Sequence, residues 1–292
     1  MRGRWFGLMP MSQTELSRLL KVPFGVARGL MRYLRVVDHL ARGLVVDVPV
    51  DRITTEFAFG YGSTGWNYHR AMLVEAMACS REIPSWRLFF HRLAELGVRN
   101  LNDVMTLGSS EAGVIDAQFW FGTWPWGHWW KRHLPYGSAW GWRYDQVSGS
   151  DTSAMYGKNG NPWHRPGDLE SLHKEERLTL ALSESIRTRG YRPLLHGSFP
   201  EAVLLIRSDG EFVAVRSNGQ HRLAVLSATG HQRVRMMIAR ESVGVLREED
   251  VESWPYVQAG ACSPDDAHTV FNWYFRLSGR ERARSLGIPL VY

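Results

Sequence analysis

Two cysteines, Cys79 and Cys262, are all that the 292 residues contain. They lie far apart, and neither flanks a Cys-x-x-Cys pair or a histidine-rich partner, so neither a disulfide framework nor a zinc site is expected and a reducing cytoplasm is the default compartment. No run of about eighteen consecutive apolar residues occurs, and no apolar segment followed by a small-residue cleavage site opens the chain; a membrane span and a secretory leader are not expected. Also absent are internal repeats, sustained heptads, a Walker-type loop, a Gly-x-Ser-x-Gly elbow and a His-Glu-x-x-His helix. Those absences remove the common motif-borne NTPase, serine-hydrolase and metalloprotease chemistries and leave no metal cluster legible in the spacing.

What is present is enough for a substantial core. Hydrophobic residues make up 44% and charged residues 22% of the chain, a composition and length suited to two globular units.

Charge is distributed unevenly. Residues 1–50 carry eight Lys or Arg against three acids, an excess that accounts for nearly all of the net +6. Over residues 24–44, Arg28, Arg32, Arg35, His39 and Arg42 recur at helical spacing, with Val26, Leu30, Leu34, Val37, Ala41 and Leu44 on the opposite side, which predicts a basic amphipathic helix. Three uses are open to it: packing its apolar stripe on the rest of the protein, lying on an anionic membrane at about 1 kcal/mol per basic residue, or gripping nucleic-acid phosphate, the least favoured of the three.

Aromatic residues are equally clustered. Between Phe119 and Trp142 stand Trp120, Trp124, Trp126, Trp129, Trp130, Trp140 and Trp142, punctuated by Pro125, Pro135 and several glycines. That density of turn formers predicts an irregular layer whose tryptophans either form a satellite core or line a cleft for a sugar ring or a base. Before this zone, the apolar spacing predicts helices over Trp66 to Ala78 and Ser85 to Leu96; after it, the polar stretch Gln146 to Asn161 reads as a boundary or an active-site loop.

The segment richest in chemistry comes later. Val203 to Ile206 and Phe212 to Val215 are β-branched runs joined through Asp209-Gly210, a two-residue hairpin signal. Gly219-Gln220-His221-Arg222 follows the second strand and opens a helix that is expected to stop at Gly230, with a further strand over Arg233 to Ile238. A helix N-terminus preceded by glycine offers unpaired N–H groups to an anion, and Arg222 adds a forked cation, so the arrangement can clamp phosphate; the bland alternative is a simple chain turn.

These pieces stand in a specific order. Asn161-Pro162-Trp163-His164-Arg165 begins the run, Ala181 to Ile186 ends a helix, Gly190-Tyr191-Arg192-Pro193 leads to a strand, and Gly219-Gln220-His221-Arg222 closes it. Residues 161–238 thereby resemble the nucleotide-binding domain of the ParB/sulfiredoxin superfamily. The resemblance implies a nucleotide, ATP or CTP, with Mg2+, held through Gly219, Gln220, His221, Arg222, Arg165 and Arg177. Sulfiredoxins carry their reactive cysteine where Gln220 stands, so that chemistry is excluded here, and the short remainder after Ile238 does not fit a complete partition protein.

Phosphoryl transfer also needs a carboxylate to orient or deprotonate the acceptor hydroxyl. Asp168 is the preferred acid and Glu170 the second candidate, by position relative to the superfamily's kinase-like members; Glu175 and Glu176 read first as helix-start residues pairing with the dipole. His221 is read as either a ligand contact or a structural residue, and Arg177 as either a phosphate contact or a solvated one.

The whole chain is thus expected to be α+β: a basic helical segment at 1–50, a helical, Trp-rich region at 51–150, a ParB/sulfiredoxin-like domain at 151–245 and a helical extension at 246–292, begun by Ser263-Pro264-Asp265-Asp266. The expected function is a nucleotide-dependent, kinase-like phosphotransferase acting on a small hydroxylated acceptor, conceivably a sugar or lipid-linked sugar, in the cytoplasm or at the inner face of the membrane. The alternatives are a nucleotide-switched protein that binds DNA or membrane without phosphotransfer, and a scaffold that has lost its nucleotide.

Overall fold

The structure, a computed structural model, describes residues 43–78, 85–96, 169–193, 198–239, 244–258, 260 and 263–290. The basic segment up to Arg42, the tryptophan-rich zone, the polar stretch before Asn161, the Asn161–Arg165 motif and Asp168 lie outside these residues.

A mixed sheet organises the described residues. Its strands are β1 (Gly43–Pro49), β2 (Ile53–Thr54), β3 (Glu201–Ile206), β4 (Phe212–Asn218), β5 (Arg233–Ala239) and β6 (Val245–Arg247), in the order β1-β5-β3-β4-β2 with β6 also paired to β3. Around it are α1 (Tyr68–Ala78), α2 (Ser85–Leu96), α3 (Leu169–Arg189), α4 (Gln220–Ala228), α5 (Pro255–Gln258), α6 (Pro264–Arg276) and α7 (Arg280–Ser285). The expected α+β class is what the chain has, and both helices read between Trp66 and Leu96 are present.

The β3–β4 hairpin forms where the β-branched runs place it, with Val203 opposite Val215 and Leu205 opposite Val213. Its turn is one residue longer than Asp-Gly alone implies: the Arg207 N–H donates to the Glu211 carbonyl at 2.8 Å, and Gly210 sits at φ +86°. A loop of Ser208, Asp209 and a left-handed glycine is the next favoured hairpin solution, and the Glu211 N–H donating to Asp209 Oδ1 at 2.8 Å locks it.

Leu44 belongs to a strand rather than to the basic helix. Gly43 to Pro49 pairs antiparallel with the whole of β5, from Gly43 opposite Ala239 to Pro49 opposite Arg233. Leu-Val-Val-Asp-Val is rich in β-branched valine, which suits a pleated ribbon better than a helix. β2 pairs in parallel with β4, so strands on either side of residue 50 join the sheet formed by residues 201–247.

One hydrophobic cluster runs through all of these elements. At its aromatic centre Phe59 meets Phe89 edge-on at 5.6 Å, Trp66 lies 4.9 Å from Phe89, and Tyr68 stacks on Phe89 at 6.0 Å. All four are under a twentieth exposed, and each such side chain contributes about 1.5–3 kcal/mol by leaving water. The C-terminal residues complete this core: Ser263 caps α6 by accepting the Asp266 N–H at 3.1 Å with Pro264 at the first helical position, and α6 buries Phe271, Trp273 and Tyr274. Gly279 then admits no side chain, because a Cβ there would lie 2.3 Å from Phe59 Cδ1 at φ +80°. Among the described residues no helix is long and apolar enough to cross a membrane.

Candidate functional site

β4 ends at Asn218, Gly219 turns at φ +86°, and α4 begins at Gln220. The glycine is required twice over, by its left-handed φ and by Pro200, whose Cα would lie 2.9 Å from an added Cβ. The far end of α4 closes as expected: Gly230, at φ +84°, donates to the Ser227 carbonyl and the His231 N–H reaches back to Leu226 O, a Schellman cap. The first N–H groups of α4 have no acceptor within the helix, and the strand, left-handed glycine and helix start expected at this turn are all present.

Arg222 turns inward. Its Nη1 donates to the backbone oxygen of Ser198 and, at 2.9 Å, to Ser198 Oγ. Burial draws its pKa below the usual guanidinium value, against the opposing pull of Tyr191 and Glu201; burial in turn pushes the Tyr191 phenol up to about 12. The guanidinium thus ties the start of α4 to the segment entering β3.

His221 points to α3. With the carboxylate as acceptor, its Nε2 donates to Glu175 Oε2 at 2.6 Å. Glu175 is not the helix-start residue that the sequence implies: α3 begins at Leu169, so Glu175 lies beyond its first turn, and Glu176 pairs with Arg87 Nη2 at 2.5 Å. The polar run before Leu172 hid the true start of the helix. Thr179 Oγ1, wholly buried, donates to the Glu175 carbonyl at 2.7 Å.

A third side chain completes the group. His69 Nε2 lies 4.0 Å from Glu175 Oε2, its ring sits 4.9 Å from that of His221, and one ligand atom from each of the three residues falls within 4.8 Å of the others. Burial, with His221 and Arg216 adding to the effect, holds His69 well below the ordinary imidazole pKa and therefore neutral. Asn67 caps α1 by accepting the N–H groups of His69 and Arg70 on Oδ1 at 3.0 and 3.2 Å. The same order, a cap, one residue, then His-Arg, occurs in Asn67-Tyr68-His69-Arg70 and in Gly219-Gln220-His221-Arg222. That recurrence is the signal that could have brought His69 forward, since an isolated histidine in an apolar helix has no spacing to mark it.

Two further features accompany the site. Arg216, in β4, forms a buried ion pair with Glu56; burial opposes its charge, but Glu56, Tyr61 and Tyr68 hold it protonated above the usual value. Gly60, Gly62 and Gly65 form a tight loop before α1, where a Cβ at Gly62 would lie 1.9 Å from Asp51 Oδ1, the acceptor of the Ser63 N–H. This loop borders a cavity of about 250 Å³ lined also by Arg52, Tyr274 and Arg276.

Of the residues singled out in the sequence, Gly219, Gln220, His221 and Arg222 share the β4–α4 junction. Glu170 lies in the first turn of α3, and Arg177 is exposed farther along the same helix. Arg165 and Asp168 are outside the described residues. No family model, curated protein or solved structure matches this chain.

Proposed function

We propose that the chain is a nucleotide-dependent phosphotransferase with a ParB/sulfiredoxin-like domain, in which the start of α4 receives the phosphates of ATP or CTP. The observation that carries this reading is the junction itself: a strand, a left-handed Gly219 packed on Pro200, and a helix whose first residues include His221 and Arg222. Backbone N–H groups and the positive end of the α4 dipole favour an anion there, and Arg222 supplies the bidentate partner by sharing or leaving its contact with Ser198.

In this reading a divalent ion such as Mg2+ neutralises the phosphates. Asp168, with Glu170 as the alternative, takes the acceptor proton as the acceptor oxygen attacks the terminal phosphorus and the bridging P–O bond breaks. Arg165 and Arg177 add phosphate contacts from the approach to α3 and from its surface. The acceptor is a small hydroxylated molecule, and the tryptophan-rich zone and the basic segment at 24–44 suit a sugar or lipid-linked sugar met at the cytoplasmic face of a membrane.

Thermal-shift and calorimetric titration with ATP and CTP in the presence of Mg2+, with Arg222→Ala as control, tests the proposal. Saturable binding that the variant loses supports it; no binding of either nucleotide at millimolar concentration overturns it.

The Arg222–Ser198 contact favours a second reading. A phosphate competing for the same guanidinium would free the segment entering β3, so nucleotide would act as a switch for membrane or DNA attachment without transfer. Nucleotide-dependent sedimentation with anionic vesicles, or DNA binding with log-linear salt dependence, in a protein that transfers no phosphate to any acceptor, would select it.

A further inference from the structure

We infer that His69, Glu175 and His221 form a binding site for a single divalent d-block cation, of the zinc class, with three protein ligands and one open position. Two imidazoles and a carboxylate are a donor set suited to Zn2+, Fe2+ or Co2+ and poorly suited to Mg2+, which takes oxygen ligands almost throughout. This site rests on the three side chains alone and stands whether or not nucleotide binds at Gly219.

Each ligand is supplied by a different element, as a preformed site requires. His69 and His221 hold the second position of α1 and α4, two helices that pack against each other, and Glu175 meets both from α3. A tetrahedral ion with bonds of about 2.0–2.1 Å needs donor atoms about 3.3 Å apart. The separations of 2.6 Å from His221 to Glu175 and 4.0 Å from His69 to Glu175 lie on either side of that value, and all three donor atoms fall within 4.8 Å of one another. Small rotations of the Glu175 and His221 side chains, each about a quarter exposed, equalise them while the buried His69 stays in place. As the metal enters, it displaces the proton on His221 Nε2 to solvent and takes the Nε2 lone pair.

The surroundings suit this chemistry. His69 is buried, and burial favours its neutral form, which carries a lone pair for a metal. The buried cation that acts on His69, Arg216, is matched by Glu56. The converging N-termini of α1 and α4 oppose a bare cation but favour an anionic fourth ligand, such as hydroxide or a phosphate oxygen.

The test is titration of the chelator-stripped full chain with Co2+ in the absence of nucleotide, followed by its d–d absorption and by displacement with Zn2+. One Co2+ per chain is expected, with the intense visible bands of a four-coordinate site. Glu175→Gln and His221→Gln, each checked for native circular dichroism, should each weaken binding at least about tenfold, because even the loss of an outer-sphere partner costs that much; Arg187→Ala on the exposed face of α3 should bind as the parent does. Absence of stoichiometric Co2+ binding overturns the inference. So does full affinity in folded Glu175→Gln and His221→Gln, which would place the metal on other residues. Failure of nucleotide to bind in a separate titration bears on the phosphotransfer reading and leaves this one intact.

Discussion

His69 and His221 hold the same position in two helices: each is the second residue after a cap, each precedes an arginine, and their rings meet edge to face at 4.9 Å and 74°. Side chains at the start of a helix lean back toward its N-terminus. Two helices that begin side by side therefore direct two imidazoles to one point, where Glu175 of α3 meets them.

The Asn67 cap sets this geometry on the α1 side. Asn67→Ala removes the acceptor of the His69 and Arg70 N–H groups and should cost about 1–2 kcal/mol of stability, measured by chemical denaturation.

The buried Arg216–Glu56 pair yields an asymmetric expectation. Arg216→Met leaves the Glu56 carboxylate alone in the core and should destabilise the protein by about 3–5 kcal/mol, whereas the Glu56→Leu/Arg216→Met double variant should be closer to the parent. A double-mutant cycle of unfolding free energies measures the difference, and equal losses in single and double variants would refute it.

Gly219→Ala puts a side chain at φ +86° and against Pro200. The strain should cost about 1–3 kcal/mol and misalign the start of α4, so any affinity for nucleotide should fall with it. Gly210→Ala shares the positive φ but has no neighbour within 4 Å; it should leave nucleotide affinity unchanged and report the backbone cost alone.

Glu248 confers acid sensitivity. The Ser208 N–H, donating at 3.0 Å, holds its carboxyl below the usual range, with the Ser208 hydroxyl, His268 and Arg207 assisting against some desolvation. Because the folded-state pKa lies below the unfolded one, the carboxylate stabilises the fold fully above the ordinary glutamate pKa, and that contribution disappears as pH falls through the depressed value. Glu248→Gln should lower stability at pH 7 by about 1 kcal/mol or less and flatten the decline between pH 5 and pH 3, as read from denaturation midpoints across that range.

The local signals in the sequence were legible because they are properties of neighbouring residues. The β3 and β4 runs, the glycine before α4, the Schellman glycine at 230, the Ser263-Pro264 start of α6 and the apolar spacing of α1 and α2 each encode one backbone geometry within a few positions. Misreadings arose where two local preferences competed. Leu44 fits a helical stripe and a β-branched strand equally well, and pairing with β5 decided for the strand. The charged first turns of α3 concealed its start, which moved Glu175 away from the helix end and into the site.

The sequence by itself determined the α+β class, most of these elements, and Gly219 as the turn between β4 and α4. Tertiary structure alone decided which side chains meet. His69, Glu175 and His221 are separated by more than a hundred and by 46 positions, and Glu56 and Arg216 by 160; no periodicity spans such distances. Their contacts exist because α1, α3 and α4 bury their apolar faces in one core, and the polar groups brought in with those helices had to find partners where water was excluded.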